Sequence, residues 1–236
     1  SWLTFTASTG VLSGTPTNDE VGTHTVKLRV NDGTVDVDQD LTITVTNVND
    51  APVITSTPVT SVDEDSGYSY TFAATDVDIV DTLTYSAPTR PSWLTFTAST
   101  GVLSGTPTND EVGTHTVKLR VNDGTVDVDQ EFTITVVNTN DAPVIISIPV
   151  FSVNEDSAYS YTLDAADVDT GDILTYSAPT LPSWLTFTAS TGLLSGTPTN
   201  DEVGTHAVKL RVNDGTVDVD QEFTITVVNT NDAPVI

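Results

Sequence analysis

The residues of this chain best placed to do chemistry are carboxylates that return in loop-like segments at one fixed spacing. Glu64 and Asp65, then Asp76, Asp78 and Asp81, then Asp110 and Glu111, then Asp123, then Asp141 lie between stretches that read as strands. Where such loops converge at the ends of modules, their charges repel at distances that salt screens poorly. A hard divalent cation relieves that repulsion. Ca²⁺ accepts six to eight oxygens from carboxylates, Asn amides and backbone carbonyls. Each motif alone is weak, since Asn122-Asp123-Gly124 is also a good hairpin turn; recurrence of all of them at one period gives the pattern its weight. Paired acids also serve glycoside hydrolysis, but that reaction needs one cleft with two differentiated carboxyls. Here the acids repeat in near-identical units, with no nucleophile motif, phosphate loop or His-rich metal set. The expectation is a repeated structural site, with no catalytic residues and no enzyme.

Composition narrows the classes further. The 236 residues hold 33 Asp+Glu against 7 Lys+Arg, a formal charge of -26. No basic face exists to meet phosphates, so nucleic-acid binding is not expected. No run of apolar residues is long enough to span a bilayer, and the absence of Cys removes disulfides and thiolate chemistry. The chain opens on Ser1 without a start Met and reads as a piece of something longer. Ser1 to Phe5 recurs as Ser92 to Phe96 and again as Ser183 to Phe187, a period of 91 residues. Units bounded at Asn-Asp-Ala-Pro run 52–142 and 143–233; residues 1–51 match only the C-terminal part of a unit, and 234–236 begin the next. The first copy lacks the equivalent of Pro52 to Pro91, either because a neighbouring chain supplies those strands or because the fragment omits them.

The elements that must position the acids have period two. Tyr68, Tyr70 and Phe72 alternate with Ser69 and Thr71; His115, Val117, Leu119 and Val121 alternate with Thr116, Lys118 and Arg120. A strand is expected over Val126 to Val137, 12 residues or roughly 40 Å. About seven short antiparallel strands in some 90 residues is the size of an immunoglobulin-like sandwich. If Asn122 to Thr125 forms the hairpin loop, Arg120 faces Asp127 and Lys118 faces Asp129, so these acids occupy a solvated, ion-paired face. His24, His115 and His206 share parity with core-facing residues and read as structural. Trp93 reads as core; only if exposed would it offer a sugar-stacking platform.

The unit resembles a cadherin-like repeat, nearest to the dystroglycan-type cadherin-like modules of large bacterial surface proteins. The segment from Pro91 to Gly124, the DVDIVD loop (76–81) and the NTNDAP linker (138–143) carry the resemblance, which covers the whole chain with the first copy partial. It implies an all-β fold of tandem immunoglobulin-like, cadherin-like Greek-key β-sandwiches, with Ca²⁺ between successive domains. Carried over, the junction between the complete units would draw on Glu64, on Asp110 and Glu111, on Asn138, Asn140 and Asp141, and on Asp167, Asp169 and Asp214, with Asn140 acting through its backbone carbonyl. The upstream junction would use Asp19, Glu20, Asn47, Asn49, Asp50, Asp76, Asp78 and Asp123. A third half-site would hold Glu155, Asp201, Glu202, Asn229, Asn231 and Asp232. Two positions depart from the cadherin pattern: Asn47 and Asn138 stand where Asp is usual, and Ala51 and Ala142 replace a final Asn. Fewer charged ligands imply weaker binding or fewer ions per junction. The third acid of the loop, Asp81 or Asp172, is either a ligand or a turn cap.

The resemblance implies an extracellular, calcium-rigidified spacer of a bacterial cell-surface adhesin or fibre. Its partners would be neighbouring repeats, homotypic chains in a fibre, and a cell-surface or polysaccharide target. Two alternatives accompany it: a filament subunit whose first repeat is completed by another chain's strands, and a carbohydrate-binding module of a secreted polysaccharide-degrading system.

Overall fold

Alternating Thr and Val build long ribbons in each repeat, and in a computed structural model of the protein these ribbons organise the rest. Residues 1–233 are described, so the expected start of a further repeat at 234–236 lies outside the described residues. The chain divides into two units, residues 1–137 and a second beginning at Asn138.

In the first unit, Gly113–Asn122 is one of two inner strands of a four-stranded sheet, antiparallel to Asp127–Val137 on one side and to Thr84–Thr89 on the other. Ser61–Asp63 closes the edge by pairing parallel to the end of Asp127–Val137, so one pair per complete repeat departs from the antiparallel expectation. A three-stranded sheet, Leu94–Thr97, Val102–Gly105 and Tyr68–Thr71, supplies the other layer. The inward positions of both layers form the core, where Phe72, Leu94, Leu103, Val117, Leu119 and Ile134 are at most 1 % exposed. Each such side chain contributes about 1.5–3 kcal/mol by leaving water. The core also contains a closed polar ring. The Tyr70 hydroxyl donates to Gln130 Oε1 (2.7 Å) and meets Ser56 Oγ (2.7 Å), while Gln130 Nε2 donates to the Ser56 carbonyl (3.0 Å). Trp93 is half-buried, edge-on to Tyr68 and His115 at 5.9 Å each. A Cβ at Gly105 would lie 2.1 Å from the Trp93 carbonyl oxygen, which is why glycine ends that strand.

The hairpin register differs from the sequence expectation by two residues. Arg120 pairs with Asp129 and Lys118 with Glu131, and the first bridge is Asn122 to Asp127. Asp123 Oδ1 accepts from the backbone N–H of Thr125 and of Val126, at 2.6 Å each. Those bonds, with Gly124 at φ 109°, hold Asp123 to Val126 as a four-residue loop. The strand therefore starts at Asp127 and has 11 residues rather than 12. A shift of two keeps every side chain on its face, so the ion-paired face survives. Arg120 binds Asp129 (2.6 Å) and Asp127 (2.6 Å), and Lys118 binds Asp129 (2.8 Å) and Glu131 (2.9 Å).

Residues 1–51 form two ribbons, Leu3–Thr6 with Val11–Gly14 and Gly22–Asn31 with Asp36–Val45. None of these residues is fully buried; Val30 is 67 % exposed where its equivalent Val121 is 0 %. The second unit repeats the complete pattern, with Gly204–Asn213 between Asp218–Val228 and Thr175–Thr180 and a core including Leu163, Leu194, Leu210 and Ile225.

Candidate metal centre

In the first unit, the linker, the 76–81 loop and the hairpin loop meet. Asp76 Oδ1 accepts from the Asp78 N–H (3.0 Å), and the Asp78 carbonyl accepts from the Asp81 N–H (3.0 Å), folding the three acids into one turn. The linker docks on that turn. The Asp50 N–H donates to Asp78 Oδ2 (2.7 Å), Asn49 Nδ2 donates to Asp123 Oδ2 (2.9 Å), and the Thr125 hydroxyl donates to Asn49 Oδ1 (2.8 Å). Ligand atoms of Asp76, Asp81 and Asp123 then lie within 4.8 Å of one another. Asp78 and Asp123 are buried, at 3 % and 6 % exposure.

The electrostatics divide these acids. Asp123 is held well below the usual carboxylate range, first by the Val126 N–H and then by Asn49 and the Thr125 N–H. Asp81 is pushed up by partial desolvation and then by the charges of Asp78, Asp76 and Asp123. One oxygen each of Asp76, Asp78 and Asp81 is buried with no hydrogen-bond partner.

The second unit holds a similar arrangement 91 residues on, with Asp172 exposed where Asp81 is half-buried. Asp167 Oδ1 accepts from the Asp169 N–H (3.0 Å), the Asp141 N–H donates to Asp169 Oδ2 (2.7 Å), and Asn140 Nδ2 donates to Asp214 Oδ2 (2.9 Å). Asp167, Asp169 and Asp172 come within 4.8 Å, and one oxygen each of Asp167 and Asp169 is buried without a partner. Asp172 is raised by partial desolvation and by Asp169, Asp167 and Asp214; Asp214 is lowered by the Val217 N–H and then Asn140.

A cation fits this donor set. An unpaired buried carboxylate oxygen carries an uncompensated desolvation cost, and here several share one small volume with no Lys or Arg among the groups that face them. The donors are hard oxygens, the type that Ca²⁺ and Mg²⁺ prefer to the nitrogen and sulfur of zinc sites.

Glu64 is buried at 2 % exposure in a turn whose next residue, Asp65, adopts φ 56°; its own N–H donates to the Val137 carbonyl (3.0 Å). Its equivalent Glu155, also 2 % exposed, accepts from the Thr230 N–H through Oε1 and leaves Oε2 buried and unpartnered. Asp19, Asp110 and Asp201 are exposed. Glu20, Glu111 and Glu202 turn back on their own single-turn 3₁₀ segments. There Oε2 accepts from the N–H and hydroxyl of Thr17, Thr108 or Thr199 at 2.8–2.9 Å, which lowers each carboxyl. Asn47, Asn138, Asn229, Asn231 and Asp232 are exposed, with Asn231 Nδ2 donating to the Asp232 carbonyl (3.2 Å). Asn140 engages its neighbours through its side-chain amide. Sequence reasoning passed over Asn18 and Asn200, whose amides donate to the linker carboxylates Asp50 (2.7 Å) and Asp232. Their signal was present, since an Asn precedes Asp-Glu in every copy.

Three comparisons bear on this geometry. A family profile described as "Putative Ig domain" matches residues 1–46, 51–137 and 142–228. The "Serine-rich adhesin for platelets" of Staphylococcus aureus (strain USA300) is 33 % identical over 136 residues; these are 55 % of this chain and 6 % of the adhesin. This chain thus corresponds to a small part of the relative's length. Among solved structures, an endo-fucoidan hydrolase of glycoside hydrolase family 107 aligns over 98 % of this chain and 38 % of its own, at 29 % identity and TM-score 0.35. Cadherin domains 3–6 of protocadherin gamma B2 align over 83 % and 57 % respectively, at 18 % identity and TM-score 0.46. No helix among the described residues is long and apolar enough to cross a membrane.

Proposed function

Since the chain belongs to the family described as "Putative Ig domain" and carries it in three tandem copies, we propose that it is a calcium-stiffened spacer of a bacterial surface adhesin, exposed outside the cell. One observation carries this reading: buried, partnerless carboxylate oxygens converge where the linker docks on each complete repeat. Asp76, Asp78, Asp81 and Asp123 would hold one ion, and Asp167, Asp169, Asp172 and Asp214 another. Bound Ca²⁺ supplies the positive charge that these acids lack. The linker's contacts with the same acids tie its path to the site, so the loaded state is stiff and the emptied one is looser. The adhesin relative supports the surface setting; adhesion itself belongs to the whole protein, and its target stays open. Recurrence of the acids at the repeat period suits a structural site, and the reading assigns no catalysis. Tyr68, Tyr70 and Phe72 lie in the core, away from any sugar.

Thermal unfolding in millimolar CaCl₂ and in EDTA tests the reading. Extracellular calcium modules bind at roughly 0.1–1 mM, and a tenfold excess over Kd stabilises by about 1.4 kcal/mol. For domains of this size that raises the midpoint by several degrees. An identical midpoint in both buffers would leave the acids as solubility charge and end the proposal.

A further inference from the structure

The 3₁₀ turn preceding each long hairpin does work that the metal centre leaves unexplained. Glu20 caps the turn through Thr17, and the Val21 N–H closes it on the Asn18 carbonyl (3.2 Å). From the strand that follows, His24 Nε2 lies 2.6 Å from the Glu20 carbonyl, and since a carbonyl only accepts, Nε2 carries the proton. The His24 ring stands edge-on to Trp2 at 5.8 Å. The turn is thus fastened to the aromatic part of its own repeat. What it presents outward is the Asn18 amide, which donates to Asp50 Oδ2 at 2.7 Å across 32 residues of chain. The Asp50 N–H in turn donates to Asp78 Oδ2 at 2.7 Å.

The second unit repeats the fastening. His206 Nε2 meets the Glu202 carbonyl at 2.6 Å, Trp184 packs edge-on to His206 at 5.8 Å, and Asn200 Nδ2 donates to Asp232 Oδ2. The middle copy has the His115–Glu111 contact (2.6 Å) and the Trp93–His115 contact, with Asn109 at the equivalent position.

From this we infer that Asn18, and by equivalence Asn200, is a positioning residue: a latch that holds the linker aspartate in place before any cation arrives. The inference deepens the calcium reading and rests on it for its functional meaning. An unlatched linker would have to be ordered at the moment of binding, and that cost would appear as lost affinity. The amide does this because it is neutral and donates; a carboxylate at the same place would face Asp50 with like charge. Loss of groups that orient metal ligands typically costs 10–100-fold in affinity, and the lower end suits a single hydrogen bond.

The test is hydrogen–deuterium exchange by mass spectrometry on the full chain, following the linker peptide around 47–51 during a Ca²⁺ titration and again in EDTA. Asn18→Ala is expected to raise linker exchange in EDTA and to raise the half-protecting Ca²⁺ concentration about tenfold, while the unfolding midpoint in EDTA stays at the wild-type value. Asn18→Asp keeps a side-chain oxygen but loses the donor, so it should be at least as impaired as Asn18→Ala. A variant Asn18→Asp that binds Ca²⁺ as tightly as wild type, or tighter, would make Asn18 a ligand and overturn the latch. Unchanged linker exchange in Asn18→Ala would overturn it too, as would a lowered midpoint in EDTA, which marks a purely structural role. If wild type shows no Ca²⁺-dependent protection, the calcium reading fails, and the EDTA arm still decides the latch.

Discussion

Asp169→Asn should change sign with the buffer. Asp169 is 5 % exposed, and its carboxylate lies within 4.8 Å of oxygens of Asp167 and Asp172. Two unit charges at that separation repel by about 3.5 kcal/mol at an effective dielectric of 20 and by about 0.9 kcal/mol in bulk water. Asn is nearly isosteric, and its carbonyl oxygen can still accept the Asp141 N–H that Asp169 Oδ2 accepts at 2.7 Å. Its NH₂ brings a donor into a cluster in which one Asp167 oxygen has no hydrogen-bond partner. The substitution therefore removes repulsion without removing the linker contact. In EDTA a net gain of about 1–2 kcal/mol is expected, toward the lower half of the Coulomb range because Asp167 is only half-buried. That raises the midpoint of the transition belonging to the second unit by roughly 5–10 °C.

In millimolar CaCl₂ the order reverses. Wild type gains the mass-action stabilisation of a bound ion, and the variant has lost a charged ligand and gains little. Differential scanning calorimetry of both proteins in both buffers reads the crossover directly. A variant that melts lower than wild type in EDTA would show that Asp169 is not under electrostatic strain. A variant whose calcium shift equals that of wild type would show that the cluster does not hold the ion. Either result refutes the reasoning.

Other outcomes follow from the same structure. The raised carboxyls of Asp81 and Asp172 contribute stability below the unfolded value of 3.8 and lose it as pH rises through their higher folded values. In EDTA the midpoint should therefore climb as pH falls from neutral toward that range. It should drop at lower pH as groups such as Asp32, drawn down to about 2 chiefly by the Val35 N–H, take up protons; a pH series of melts checks both limbs. Tyr70→Phe opens the core ring and should cost about 1–2 kcal/mol in urea unfolding, and adding Gln130→Leu should cost less than the sum of the single changes. Trypsin should leave the native chain intact with or without calcium. Six of its seven Lys and Arg residues sit on the long paired strands, and Arg90 precedes Pro91. An Asp-directed protease should nick the linker at Asp50 faster in EDTA than in calcium, as gel electrophoresis of timed digests would report.

What was legible in the residues, and what was not, divides along physical range. Period two placed Val117, Leu119 and Ile134 in the core and Lys118, Arg120 and Asp129 on the ion-paired face, because the face of a strand depends on near neighbours alone. Register did not follow from period. It turned on Asp123 accepting two loop N–H groups, which moved every pair by two residues while leaving every face as read. The parallel edge strand Ser61–Asp63 was hidden for a related reason: three residues carry too little pattern to declare a partner more than 70 positions away. The acids of the 76–81 loop could be suspected from charge and recurrence, yet whether Asp81 caps a turn or joins the cluster was open until its oxygens met those of Asp76 and Asp123. Asn18 is the extreme case. Its recurrence before Asp-Glu in every copy marks the position, but a neutral amide beside two acids does not announce a role, which exists only because the linker path brings Asp50 within 2.7 Å. The charged residues thus announce where a cation can sit, and the uncharged ones decide how the linker is held there, which is why substitutions at Asn18 and Asn49 will inform the mechanism more than further removal of acids.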